Sequence, residues 1–318
     1  MNIEKIFSLS AVKLKNTLRN ELHKLGYDEG KLHNKKDFLY AEGDTPYMLV
    51  AHLDTVHKDL PSIICYSKDG NYMMSPQGIG GDDRCGVYII LELLAKLPFK
   101  PYVVFTMDEE IGGLGADAFI EYMCGYNAPD LKYIVEYDRK GNNDCVFYQC
   151  DNQPFVDFVE KYGFKRAYGT FSDISLIAPE LGVAAVNLSS GYYNPHTEHE
   201  YVSMSDMNDI INKSLKMLCA ETEGFQYIKA QYSQYSYLRK KETVKVSFVP
   251  EGTVCICPKF TNAVYVNAEN EIAIDEFGNY YRYNHSYGDL SSMQYEEIVP
   301  VDEPMYDEAH ALELTLFF

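Results

Sequence analysis

Positive charge is scarce in this chain. Lys and Arg number 28 against 47 Asp and Glu in 318 residues, a formal net charge of -19 at pH 7. A nucleic-acid partner needs clustered Lys and Arg to displace counterions from its phosphates. The two basic clusters here, KLHNKKD and LRKKETVK, are short and lie among acidic neighbours, so they read as solvated surface and no nucleic-acid partner is expected. Long apolar runs are missing too. None reaches the ~18 residues of a membrane span, so no membrane partner is expected. The first thirty residues hold only a brief apolar stretch before the amphipathic pattern AVKLKNTLRNELHKLGY, which does not read as a secretory leader. The 8 cysteines are scattered, and the close pairs Cys145/Cys150 and Cys255/Cys257 have neither zinc-ribbon nor thioredoxin spacing. Free thiols and a cytoplasmic location are the expectation. No internal repeat stands out.

With 46% hydrophobic residues, the chain is long enough for a full core and about two domains. Up to about residue 220, short apolar runs alternate with helical patterns. The strand candidates are KDFLYAE, YMLVAHL, PYVVFTM, LKYIVEYD and GVAAVNLSS; helices are expected over 84–97, 115–125, 153–162 and 204–221. Such alternation predicts an α/β sandwich with a largely parallel sheet, mixed at its edges. SIICYSKDGNYMMS reads as two strands joined at Asp69-Gly70, a favoured hairpin turn. After about residue 225 the texture changes. A polar, tyrosine-rich connector leads into TVKVSFV, GTVCICP, AVYVNAE and EIAIDEFGNYYRYN, short strands separated by turns. The expected division is a catalytic domain over 1–225 and a connector with a small β-rich domain over 226–318.

Acids and histidines gather where the apolar runs end. In VAHLDTVH, His52 and Asp54 are two apart and so face one way at a strand's C-terminal end, the edge where open α/β sheets bind ligands. Alone, the pair also serves as a structural hydrogen bond. In QGIGGDDRCGVYIILELL, Asp82 and Asp83 follow a glycine-rich turn and precede a helix; capping explains one such acid, not two. In VVFTMDEEIGGLGA, Asp108, Glu109 and Glu110 abut an apolar strand, which a solvated loop or a shared cation would explain. YIVEYDRKG ends another apolar run at Asp138, and SSGYYNPHTEHEYVS offers His196 and His199. In GTFSDISLI, Ser172 or Asp173 reads as a helix cap in preference to a substrate contact.

Spacing combines these signals. From His52 to Asp82 is 30 residues, to Glu110 another 28, to Asp138 another 28 and to His196 another 58. Intervals near 30 match single strand-helix-strand units, so the side chains can converge at one sheet edge. Two histidines and three carboxylates there would make two metal sites sharing an aspartate, and such ligands suit zinc.

The set HLD, GGDD, DEE, EYDRKG and PHTEHEY resembles the co-catalytic di-zinc exopeptidases, the clan of bacterial leucyl aminopeptidase and peptidase T, over roughly residues 45–220. The resemblance implies a phosphorylase/hydrolase-like three-layer αβα sandwich and two divalent ions, Zn2+ foremost, with Co2+ or Mn2+ as substitutes. It implies His52 and Asp138 as ligands of one ion, Glu110 and His196 as ligands of the other, and Asp82 as the bridge, followed by a cis peptide bond to Asp83. Asp54 would orient His52, and Glu109 would be the catalytic base. His196 is preferred to His199 because the ligand histidine of peptidase T-like sequences precedes an xxHE stretch, here TEHE.

Departures from the clan narrow the reading. Its carboxypeptidases, dipeptidases and deacylases usually carry a domain between the matches to Asp138 and His196, where only 57 residues lie here; another branch inserts one between the matches to His52 and Asp82, where 29 lie. A compact aminopeptidase acting on small peptides is the expectation. The alternatives are an N-acyl amino acid deacylase or dipeptidase of the same clan and a non-catalytic binding protein with a vestigial site.

Overall fold

The computed structural model describes residues 1–125 and 128–230 and, beyond them, the strand segments 253–256, 263–267, 272–275, 280–284, 289–290 and 299–300. The chain divides into two compact units, Met1–Ala230 and Gln231–Phe318.

The first unit is built on an eight-stranded sheet of β1 (Leu32–Asn34), β2 (Phe38–Ala41), β3 (Thr45–His52), β6 (Pro101–Thr106), β7 (Tyr133–Arg139), β8 (Asp144–Val146), β9 (Lys165–Arg166) and β10 (Ala185–Ser189), in the order β1-β2-β6-β3-β7-β10-β8-β9. The central run β6-β3-β7-β10 is parallel, while β1, β2 and β8 pair antiparallel with their inner neighbours. The parallel strands are the apolar runs of the sequence, and they are apolar on both faces because helices cover both. Leu49, Ala51, Val135 and Val186 pack on one face with α1 (Ile3–Ser8), α2 (Ala11–Lys24), α3 (Gly81–Lys96), α5 (Gln153–Glu160) and α7 (Met204–Leu218). Met48, Val50, Ile134 and Ala185 pack on the other with α4 (Leu114–Cys124) and α6 (Asp173–Leu181). The result is the expected αβα sandwich with a mixed, largely parallel sheet.

A second, antiparallel sheet, in the order β11-β12-β5-β4, lies beyond the main one; its strands are β4 (Cys65–Tyr66), β5 (Tyr72–Met74), β11 (Tyr192–Tyr193) and β12 (Tyr201–Ser203). The expected hairpin is its β4–β5 pair, closing on Gly70 at φ 74°. Residues 225–230 run back along the first unit, Phe225 N–H donating to the Lys132 carbonyl at 2.7 Å and Ala230 N–H to that of Gln149 at 2.8 Å.

Helix α3 starts in two stages. Asp82 and Asp83 have non-helical backbone, so the regular helix begins after them. Gly86 lets that helix lie against β7, since a Cβ there would sit 2.2 Å from the Tyr137 carbonyl oxygen. This close approach brings the Asp82–Asp83 corner beside the ends of β3 and β7.

In the second unit, β13 (Thr253–Ile256), β14 (Ala263–Asn267), β15 (Ile272–Asp275) and β16 (Tyr280–Asn284) pair antiparallel in succession, flanked by β17 (Asp289–Leu290) and β18 (Val299–Pro300). They correspond to the later strand expectations; TVKVSFV lies outside the described residues.

Candidate metal centre

His52 is the last residue of β3 and fully buried. Its Nε2 lies 3.2 Å from Asp82 Oδ1 and 3.5 Å from Asp138 Oδ1, and its Nδ1 lies 3.4 Å from Asp54 Oδ1. His196 Nε2 lies 3.2 Å from Asp82 Oδ2 and 3.4 Å from Glu110 Oε2. The Asp82 carboxylate therefore stands between two histidines, one oxygen toward each. Glu109 Oε2 is 4.0 Å from His52 Nε2. All seven sequence-predicted residues thus meet at one place. His199, the competitor of His196, is exposed, and its hydrogen bonds among the described residues, from the Asn194 amide and to the Thr197 hydroxyl, run through its backbone.

Backbone conformation aims these groups. The Asp82–Asp83 peptide bond is cis, as the resemblance implied, and Asp108 and His196 take the left-handed region at φ 61° and 62°. A non-glycine residue in the left-handed region costs about 1–3 kcal/mol and persists where its surroundings demand it. Asp54 fastens the acidic loop, accepting the backbone N–H of Glu109 at 3.2 Å and of Glu110 at 3.1 Å. It thereby links the loop that carries both glutamates to the histidine beside them.

Burial and mutual repulsion set the protonation. Burial drives Asp138 well above the usual carboxylate range, and the nearby Asp82 adds to the rise. Burial also raises Glu109 and Glu110, and their acidic neighbours push the same way. For Asp82, burial is outweighed by His196 and His52, which hold it below the usual range. His52 is pulled down by burial, but Asp138, Asp54 and Asp82 outweigh that and raise it well above the ordinary imidazole value. His196, bonded to Asp82, is raised to about 9. The surrounding carboxylates thus shift both histidines toward the protonated form.

Metal ions fit this arrangement. One atom each from His52, Asp82 and Glu110 lies within 4.8 Å of the others, as does one each from His52, Asp83 and Asp138. Of the two aspartates, Asp82 is the better donor: Asp83 is fully buried, and its Oδ1 already accepts the Gly86 N–H at 3.0 Å. Glu110 Oε1 is shielded from solvent with no hydrogen-bond partner among the described residues, a group that a cation would satisfy. Mixed imidazole and carboxylate donors suit zinc.

Several supporting residues escaped sequence reasoning. Glu200, fully buried, accepts the Gly80 N–H at 2.8 Å and the Asp82 N–H at 3.0 Å, and it pairs with His57 Nε2 at 2.8 Å. Asn187 accepts the Asp138 N–H at 2.8 Å, and Tyr192 donates its hydroxyl to the Asp138 carbonyl at 3.3 Å. Beneath the centre, Ser172 donates to the buried Glu136 carboxylate and Thr106 to that of Asp173. Ser172 caps α6, as one of the two cap readings has it. An acid inside a loop, such as Glu200, carries no local signal that its partner lies 118 residues away.

The fold is shared with solved aminopeptidases and a tripeptidase. The aminopeptidase PepT from Bacillus cereus aligns over 68% of this chain and 95% of its own, with TM-score 0.55 and 13% identity. A tripeptidase from Staphylococcus aureus aligns over 68% and 95%, with TM-score 0.55 and 12% identity. An aminopeptidase from the archaeon Desulfurococcus kamchatkensis aligns over 70% and 94%, with TM-score 0.51 and 17% identity. No family model matches the sequence, and no curated protein does. Among the described residues, no helix is long and apolar enough to cross a membrane.

Proposed function

We propose that the protein is a metal-dependent exopeptidase, and specifically an aminopeptidase acting on small peptides, whose catalytic domain is residues 1–225. The observation that carries this reading is the Asp82 carboxylate with one oxygen toward each of two histidines, His52 and His196, and a buried glutamate beside them. His52 and Asp138 would hold one divalent ion and Glu110 and His196 the other, with Asp82 shared. Zinc is the ion this donor set favours. When bound, such ions polarise a carbonyl and acidify a water.

The chain's own residues supply the rest. Asp54 sets the His52 ring and the Glu109–Glu110 backbone together. Glu109, raised by burial and by Glu110, takes the proton of the attacking water and passes it to the leaving amine. A shared fold with aminopeptidases and a tripeptidase supports the exopeptidase class. The chain from Asp138 to His196 holds β8 to β11, α5 and α6, all elements of the first unit, which favours aminopeptidase over deacylase.

The test compares aminoacyl anilides with their N-acetylated forms on metal-loaded protein. Cleavage requiring the free α-amine is the expected result. Faster cleavage of the acetylated forms would transfer the assignment to a deacylase if acetate is released or to an endopeptidase if the anilide is, and no cleavage of either, with ions bound, would favour a vestigial site.

A further inference from the structure

Besides the ligand groups, the pocket in front of the centre, of about 260 Å³, is lined by Arg139, Lys140, Phe171, Tyr192 and Pro195. Its size is at the small end of ligand pockets, enough for one or two residues of a peptide. Two adjacent cations on this wall are unexpected in a chain of net charge -19.

Neither cation is consumed by the fold. Arg139 Nη2 donates to the Tyr168 carbonyl at 3.2 Å, which holds the guanidinium in place, while its nearest carboxylate, Asp144, is 4.0 Å away. Its Nε is shielded from solvent with no partner among the described residues. Lys140 is exposed and makes no ion pair among the described residues. Two divalent ions would balance the four carboxylates that line the pocket, Asp82, Glu109, Glu110 and Asp138. Lys140 would then remain without a counter-charge among the described residues and Arg139 with only Asp144 at 4.0 Å, so this wall of the pocket stays net positive.

We propose that Arg139 and Lys140 bind a carboxylate of the peptide substrate and so make the site selective for substrates carrying one there. This rests on the exopeptidase reading. The carboxylate is the side chain of an Asp or Glu first residue or the free C-terminus of a very short peptide; both offer the planar, two-oxygen group that a guanidinium engages in parallel and an ammonium supports as a point charge. Phe171 and Tyr192 would pack the apolar remainder of the substrate.

The experiment uses the full chain loaded with zinc and two substrate pairs. One compares Glu-first with Gln-first peptide amides; the other compares a free-acid tripeptide with its C-terminal amide. In one pair, kcat/KM should favour the carboxylate form by at least about tenfold, the size of one charge-assisted hydrogen bond. The favoured pair identifies the source. Lys140→Met and Arg139→Met should bring that ratio toward one, and Arg139→Lys should retain part of it. A second readout is calorimetric binding of the products, glutamate against glutamine and Gly-Gly against its amide, where the same preference should appear and disappear in the variants. Ratios near one in both pairs, or a preference that survives both methionine substitutions, overturn the proposal while leaving the exopeptidase reading intact. Carboxylate-selective binding without turnover of any peptide does the reverse.

Discussion

Glu200 Oε1 accepts the backbone N–H of Asp82 at 3.0 Å, so the residue four places after His196 holds the corner that presents the carboxylate facing both histidines. Its other oxygen takes the Gly80 N–H and faces His57. Glu200→Gln loses the charge of these bonds and places an amide donor against a donor. Groups that support ligands in this way typically contribute 10–100-fold to metal affinity, and a loss of about that size is expected, read by competition with a chromogenic chelator. The thermal melt of the metal-free variant is the control. Unchanged affinity would reduce Glu200 to a packing role.

Glu109→Gln should leave ion binding within a few-fold of the parent and remove most of the turnover. A general base of this kind contributes about 10²–10⁴-fold. Elemental analysis of the purified variant and kcat on an aminoacyl anilide separate the two effects. Near-parental kcat would remove Glu109 from the reaction.

Asp82→Asn should behave in the opposite sense. One Asp82 oxygen faces each histidine, so the amide loses the charge shared by both positions and turns a donor toward one of them. About two equivalents of zinc are expected in the parent and fewer than one in the variant. Two retained equivalents would show that Asp82 bridges nothing.

Zinc binding should release protons. In the metal-free protein His196 is raised to about 9 by its bond to Asp82, above its ordinary value, so it carries a proton at pH 7. His52 is raised in the same sense. A ligand imidazole must be neutral, so zinc displaces these protons, and affinity falls as the pH drops and rises until the pH passes about 9. Calorimetry in two buffers of different ionisation heat counts the protons. Binding at pH 7 with none released would contradict this account.

Much of the fold and most of the centre were legible in the sequence because both rest on local pattern. β3, β6 and β7 are largely apolar runs: His52 ends β3, Asp138 is the last residue but one of β7, and Glu109 and Glu110 follow β6 within four residues, so the strands carry these groups to the sheet's edge. The roughly 30-residue intervals are the length of strand-helix-strand units, so convergence followed from topology. The hairpin at Gly70 and the cap at Ser172 are likewise signals within a few residues.

Tertiary structure alone decided how the centre is held. That Asp54 grips the Glu109 and Glu110 amides and that Glu200 grips those of Gly80 and Asp82 depend on contacts between segments 55 to 120 residues apart. No local pattern encodes such a pairing, since the same acid in the same loop would serve as well in water. Arg139 and Lys140 show the limit most plainly. In sequence they are two basic residues after a strand; in the fold they stand on the wall of the pocket that the acids and His196 also line, a juxtaposition that their order in the chain does not reveal.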